Sequence, residues 1–483
     1  MMVKKTIIVR CLILLVSLLH ANCYNKYFSP NPSYNNDTTI SRANLTSIQT
    51  SDSSVAADDI DFSDAFKDST GSIDSVESVT QFSNSISPDS KNDITFQKTT
   101  YFVGTSTVRV CIKQNQTKTF FYSIGDVSLL APKQKPLTIK GRGTVHITSD
   151  NHLEIVSLLG TKKISMPCTL QSKNEHNFID IEKDSYRGSI IFVSEKKGFF
   201  SIVNTLDVEE YLRGVVPLEI GTLDQKAREA LKAQAVAART YTYKRILSRN
   251  SFYYDLYNTT ADQVYGGANV EYRESDLAVR LTRNMIMVYN DTVVNAYYHS
   301  TCGGKTANIK DVWPHKPDCS YLHSITDSDS SGTIFCSTSK YFKWEENWVK
   351  DNSNNLICRN INVSDTRINA TPPIRDIDIK EYFDCGRVRA CFIKGRHWEY
   401  ESGGDGIRKI FRRPVSGNPI LRSSRFTIVH SNSNGLKITG YGHGHGVGLC
   451  QTGAIGRALA GQSYEIILKS YYSGIALCTA TYK

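Results

Sequence analysis

The chain shows no internal repeats, no arginine-rich helix and, past its first two dozen residues, no second long apolar run. The first absence sets aside an array of stacked units. The second, with no RNA-binding signature either, makes nucleic acid the weaker choice of partner. The third leaves the body of the chain without a membrane span. What is present is a chain of 483 residues, 40% of them hydrophobic, enough for a sizeable core. That length suits two to four domains or one large elaborated one.

Lys and Arg outnumber Asp and Glu by 57 to 47, and unevenly. Residues 1–100 hold 8 basic and 11 acidic side chains, leaving 49 and 36 for the rest, a balance of +13. A basic body attracts an anionic partner such as wall polymer, nucleic acid or lipid headgroups. Residues 1–23 read as a signal peptide: "MMVKK" carries charge and "IIVRCLILLVSLL" is mostly apolar. The run is short for a span and is interrupted by Arg10. Cleavage near "HANCY" gives a secreted or extracytoplasmic protein, with an uncleaved signal anchor as the alternative. His20 and Asn22 fit a lipidation signal at Cys23 poorly. Residues 24–100 are rich in Ser, Asn, Asp and Thr, and their apolar residues are sparse and aperiodic. Such a segment buries too little surface to offset its ordering entropy, so it reads as a disordered acidic stalk. Beyond Cys11 and Cys23 there are ten cysteines. In an exported chain an even count favours disulfides, and Cys385 with Cys391, or Cys302 with Cys319, are candidate pairs.

From Tyr101 the pattern is strand-rich. "STVRVCI", "LTIKGRGTVHI", "SIIFVSE" and "FFSIVNTL" are β-branched runs set off by Gly, Lys and Asp. A helix is predicted over residues 224–247, capped by Thr222 or Asp224, with Ala227, Leu231, Ala235 and Ala238 on one narrow apolar face. "MIMVYN", "VVNAYYHS", "RVRACFIKG" and "RFTIVHS" read as further strands, and residues 325–375 as a polar, loop-rich insertion. A last helix follows Ser463 and stops at Gly474. The fold class expected is α+β, mostly β.

Five stretches combine glycine or small residues with polar side chains and Tyr: "VVPLEIG", "ALKAQAVAARTY", "DQVYGG", "YHSTCGGKTA" and "GHGHGVGLCQTGA". Such residues line clefts, because glycine lets a ligand approach the backbone. In this order, and with "VNTLDVEEYLRG", "SGGDGIRKIFR" and "ILKSYYSG" around them, they closely resemble the SpoIID family. The likeness covers roughly residues 105–478. It implies a SpoIID-like domain over 101–483, with a strand-rich part about 101–200, a core about 201–330, the insertion and a C-terminal part about 376–483. The family comprises exported lytic transglycosylases of peptidoglycan and shares its domain with the LytB amidase enhancers. The resemblance thus implies cleavage between muramic acid and N-acetylglucosamine in stem-peptide-free glycan strands, with a 1,6-anhydro product. The alternative is a non-catalytic glycan-binding module that assists an amidase.

Breaking a glycosidic bond needs a carboxylic acid that is neutral near working pH. The family's catalytic glutamate maps onto Glu219. Val215, Val216, Leu218 and Ile220 flank it, and desolvation favours the acid form. The following helix dipole opposes this by about 0.3–1 kcal/mol, less than burial can supply. A helix-capping carboxylate is the bland alternative. Asp207, Glu209 and Glu210 read as solvated charges at a strand end. Arg239 suits a bidentate contact to a lactyl carboxylate, or a structural ion pair. Tyr241 lies on the same helix. Gln263 suits a sugar hydroxyl or its own loop, and Tyr265 a sugar ring or the core. His299 and Ser300 are further cleft candidates. His445 maps onto the family's single histidine and reads as a cleft donor or orienting residue; Gln451 reads as an N-acetyl contact or a loop brace. His443 and His445 lack a third ligand beside them for a metal. Cys450 reads as a disulfide partner or inert thiol.

No cofactor is required by this reading. Some family members hold zinc between the helix and "QVY", but "SRNSFYYDLYNTTA" has neither His nor Cys. His299, Cys302, His315 and Cys319, spaced H-x2-C-x12-H-x3-C, form an alternative zinc quartet.

Overall fold

The computed structural model describes residues 100–482 apart from 175, 249–250 and 432–434. The signal peptide and, but for Thr100, the acidic stalk lie outside the described residues. No helix among the described residues is long and apolar enough to cross a membrane.

The described chain is α+β and mostly β. Its largest sheet has eleven strands. Thr107–Gln116, Phe199–Asp207, Ser189–Lys196, Cys168–Ser172, Lys118–Leu130 and Leu137–Ile147 neighbour one another in that spatial order, each pair antiparallel. The β-branched runs fall on these strands. Ser189–Lys196 buries Ile190 and Phe192, while Phe199–Asp207 is buried on both faces from Phe200 to Asn204, its second face covered by a small cluster with Cys111, Val193 and Tyr254. Thr100–Gly104 pairs in parallel with Ala476–Tyr482, which also pairs with Met285–Tyr289. The run "VVNAYYHS" splits into two short strands, Thr292–Val293 and Tyr298–His299.

A central helix, Arg228–Leu247, follows one 3-10 turn capped by Asp224, whose carboxylate accepts from the Lys226 amide at 2.9 Å. The helix is buried on more than the narrow face its spacing suggested. Ala230, Ala233, Val236 and Ala237 are as deep as Leu231 and Ala235. Helices Arg273–Leu281, Gln451–Leu459 and Tyr464–Tyr471 and strand Met285–Tyr289 all pack on it. Side chains of one carbon let several neighbours approach at once, so alanine serves all round.

Residues 325–375 are loop over most of 325–342 and 365–375, but the segment between them is ordered and packed. That segment contains strand Lys343–Trp348 and the 15-residue helix Lys350–Ser364. Both belong to a second hydrophobic core built on Trp344, Trp348, Ile361, Ile393, Ile407, Phe411, Phe426 and Ile438. Two three-stranded sheets frame it. The polar residues that disguised it alternate with apolar ones: Lys343–Trp348 buries Trp344, Glu346 and Trp348 and exposes the residues between.

Candidate active site

An open cleft of about 940 Å³ is lined from one side by Glu219, Tyr241, Asp262 and Tyr298, and from the other by Asp405, Arg408, Lys409 and His443. Glu219 stands in a five-residue helix, Val216–Ile220, opened by Pro217. Val215, Val216 and Ile220 are buried beneath it, while Leu218 is exposed. The carboxylate accepts the Val264 amide at 2.8 Å, and the side chains of Tyr298 and Gln451 also hydrogen-bond to it. Glu219 is half-buried at the cleft surface, but its surroundings are interior. Burial lifts its carboxyl to about 7, against the downward pull of those three hydrogen bonds. Asp262 lies 3.0 Å from Arg245 Nε, and Asp405 lies 2.9 Å from Arg408. Among the described residues lining the cleft, Glu219 is thus the one carboxyl without an arginine partner.

Behind Glu219 runs a buried relay. Tyr298 hydroxyl accepts from Gln263 Nε2 at 3.1 Å. Gln263 also donates to the Ala238 carbonyl at 3.2 Å and accepts from Tyr211 at 3.2 Å and Thr242 at 2.9 Å. Every hydrogen-bonding position of that amide is filled, so Gln263 braces Tyr298 and does not reach the cleft. Tyr265 is corrected likewise: it is buried, gives its hydroxyl to Asn204 at 2.8 Å and packs on Tyr211 with ring centroids 4.9 Å apart. Arg239 lies fully inside, forked onto Glu209 at 2.8 and 2.7 Å and donating to the Met285 and Val279 carbonyls at 3.2 Å. It has no fork left for a lactyl group. Glu209 is accordingly no solvated charge but a buried partner, and Asp207 caps helix Val208–Arg213.

Tyr241 does face the cleft, with its hydroxyl on Asp262 at 2.9 Å. Ser300 and Gln451 line it too. The glycines of the GHGHGVG loop alternate with its side chains and hold positive φ at Gly442, Gly444, Gly446 and Gly448, a path open to glycine alone at little cost. The two histidines therefore meet different neighbours. His443 packs on Tyr341 at 4.5 Å, and His445 on Trp313 at 4.9 Å. Burial lowers His443 to about 4 and His445 to about 3, so both rings are neutral. His445 Nδ1 accepts from the Val447 amide at 3.1 Å and the ring also bonds the Tyr298 backbone. Both its nitrogens are engaged, which fixes the ring in place. His299 Nδ1 lies 3.2 Å from the Val447 carbonyl, and its buried Nε2 has no partner.

Sequence reasoning missed Trp313, whose half-buried indole packs at 55° to the Tyr297 ring, centroids 5.1 Å apart, with Lys316 Nζ 4.0 Å over the indole. Its loop, "VWPHKP", offered only a lone aromatic between prolines and charges. The alternative zinc quartet does not assemble. His315 is exposed at the cleft, Cys319 Sγ contacts the Pro317 carbonyl at 3.7 Å, and Cys302 faces other partners. Cys302, Cys319, Cys385 and Cys391 are thiols, so neither candidate disulfide pair is joined.

The described chain is thus a strand-rich α+β body with a cleft whose one carboxyl lacking an arginine partner is Glu219. Residues 196–289 match the family model described as SpoIID, stage II sporulation protein, and residues 333–448 match a domain of unknown function, which coincides with the second core. An uncharacterized protein of Brachyspira hyodysenteriae is 33% identical over 60% of this chain and 71% of its own length. An amidase enhancer of Bacillus subtilis is 28% identical, over 55% of this chain and 40% of that protein. Stage II sporulation protein D of Bacillus amyloliquefaciens is 27% identical, over 58% and 76%. The chain belongs to the SpoIID family.

Proposed function

We propose that the protein acts outside the cytoplasm as a lytic transglycosylase on peptidoglycan glycan strands. The carrying observation is Glu219, a cleft carboxyl that burial keeps protonated up to about 7. Glu219 gives its proton to the bridging oxygen as the bond from muramic C1 to that oxygen breaks. The carboxylate left behind takes the proton of the muramic 6-hydroxyl as that oxygen bonds to C1. The glutamate ends as it began, no water is consumed, and a 1,6-anhydro end results. One carboxyl suffices, which accords with arginine pairing of Asp262 and Asp405. Trp313 and Tyr297 offer faces for sugar rings, and Lys316 and Lys409 offer charge to lactyl carboxylates. A strand stripped of stem peptides suits an open groove of this size.

The test is purified protein and Glu219→Gln on denuded glycan strands, read by mass spectrometry. Anhydro-ended products from the native chain alone support the reading; equal products from both, or none from either, overturn it. The likeness to an amidase enhancer favours a second reading, glycan binding that assists an amidase. Strand binding without products, with faster hydrolysis by an added amidase, would establish that one.

A further inference from the structure

We propose that Cys302, Cys336, Cys450 and Asp327 form a closed zinc site that holds the cleft floor together. All four residues are fully buried, and their ligand atoms lie within 4.8 Å of one another. Cys302 Sγ is 3.5 Å from Cys336 Sγ and 3.4 Å from Asp327 Oδ2. A tetrahedron with Zn–S near 2.3 Å and Zn–O near 2.0 Å has edges of roughly 3.8 Å between sulfurs and roughly 3.5 Å between sulfur and oxygen. The spacing is that of ligands around an ion. A disulfide would need the sulfurs at about 2.05 Å.

The surroundings are built for anionic sulfur. The Cys302 and Gly453 amides point at Cys450 Sγ, each at 3.2 Å, and the Gly304 amide at Cys302 Sγ at 3.3 Å. Asp327 is fixed from behind by Arg457 at 3.0 Å and by the Tyr471 hydroxyl at 2.9 Å to each oxygen. Such outer partners orient a ligating carboxylate. Three thiolates and a carboxylate around a divalent ion leave two negative charges, and Arg457 offsets one. Four protein ligands leave no open position, so the role is structural.

Its reach extends to the chemistry. Strands Tyr298–His299 and Leu449–Cys450 pair in parallel. Ser300 and Cys302 come just after the first strand, and Cys450, the last residue of the second, precedes Gln451, which bonds Glu219. The ion would tie both segments to the loop carrying Asp327 and Cys336. This departs from the expectation of a chain without cofactors, and it holds whether the cleft cleaves glycan or only grips it.

The full chain, purified without chelator or added metal, is analysed for zinc by inductively coupled plasma mass spectrometry and for thiols by alkylation and peptide mapping. The expected result is one zinc per chain, with the three thiols shielded from iodoacetamide until a strong chelator is added. Cys336→Ser and Asp327→Asn should each weaken zinc retention against a competing chelator by at least tenfold, in line with loss of a ligand. Zinc below about 0.1 per chain in the native protein, a background level for a site that folds with its metal, overturns the proposal without recourse to any variant. So does a Cys302–Cys336 disulfide in the mapped peptides, or unchanged zinc retention in both variants.

Discussion

Replacing Glu219 with Gln tests the buried acid through stability, independently of any substrate. In the folded chain the carboxyl holds its proton up to about 7, against 4.5 ordinarily. Ionising it costs more in the folded chain than in the unfolded one. Its contribution to stability is therefore complete below 4.5, is lost as pH rises from 4.5 to about 7, and is level beyond. Gln keeps an oxygen for the Val264 amide and has no charge to desolvate. The variant should thus gain on the native chain as pH rises. At ~1.4 kcal/mol per tenfold change in proton affinity, the ceiling is ~3 kcal/mol. Half-exposure to cleft water reduces this to roughly 1–2 kcal/mol, a few degrees in midpoint. Thermal unfolding of both chains at pH 4.5, 6 and 8 measures it. A variant-minus-native midpoint that stays flat, or that falls with rising pH, would refute the buried-acid reasoning.

Glycan cleavage should decline as pH rises through about 7, following loss of the Glu219 proton, in initial rates measured from pH 5 to 9. Trp313→Ala should weaken strand binding by about 1 kcal/mol, five- to tenfold in Kd by calorimetry, with the pH profile unmoved. Arg239→Ala leaves Glu209 buried and unpaired and should cost about 3–5 kcal/mol in chemical unfolding, while the protein that remains folded binds glycan normally. Gly448→Ala should destabilise by about 2–4 kcal/mol in the same assay, since a Cβ there meets the Tyr297 carbonyl at 2.1 Å on a positive-φ backbone.

Glu219, Tyr241, Ser300 and Gln451 were legible because motif position and cleft position coincide. Arg239, Gln263 and Tyr265 stayed open between cleft and interior for one reason: a motif marks a residue as needed without saying which way it faces. Arg239 sits on a helix buried all round, so its partner had to be another interior charge, Glu209. The large sheet was readable because its strands are β-branched and aromatic runs set off by Gly, Lys and Asp. The second core was legible only in part: "RVRACFIKG" and "RFTIVHS" read as its strands, while Lys343–Trp348 and Asp376–Tyr382 are short and interleaved with Lys, Glu and Asn. Trp313, a lone indole in a proline-bounded loop, carries no periodicity at all. The thiol cluster joins residues 148 positions apart, and Cys336 fell within no recognised motif.

The two walls of the cleft come from segments with separate hydrophobic cores. A sugar chain bound there, as proposed, would act as a clasp. Held by Tyr241 on one wall and Lys409 on the other, it would be released when either wall unfolds. Saturation at a hundredfold excess over Kd adds ~2.7 kcal/mol to the joined state. The bound protein should therefore unfold at a higher temperature than the empty one, as scanning calorimetry with and without the polymer would read.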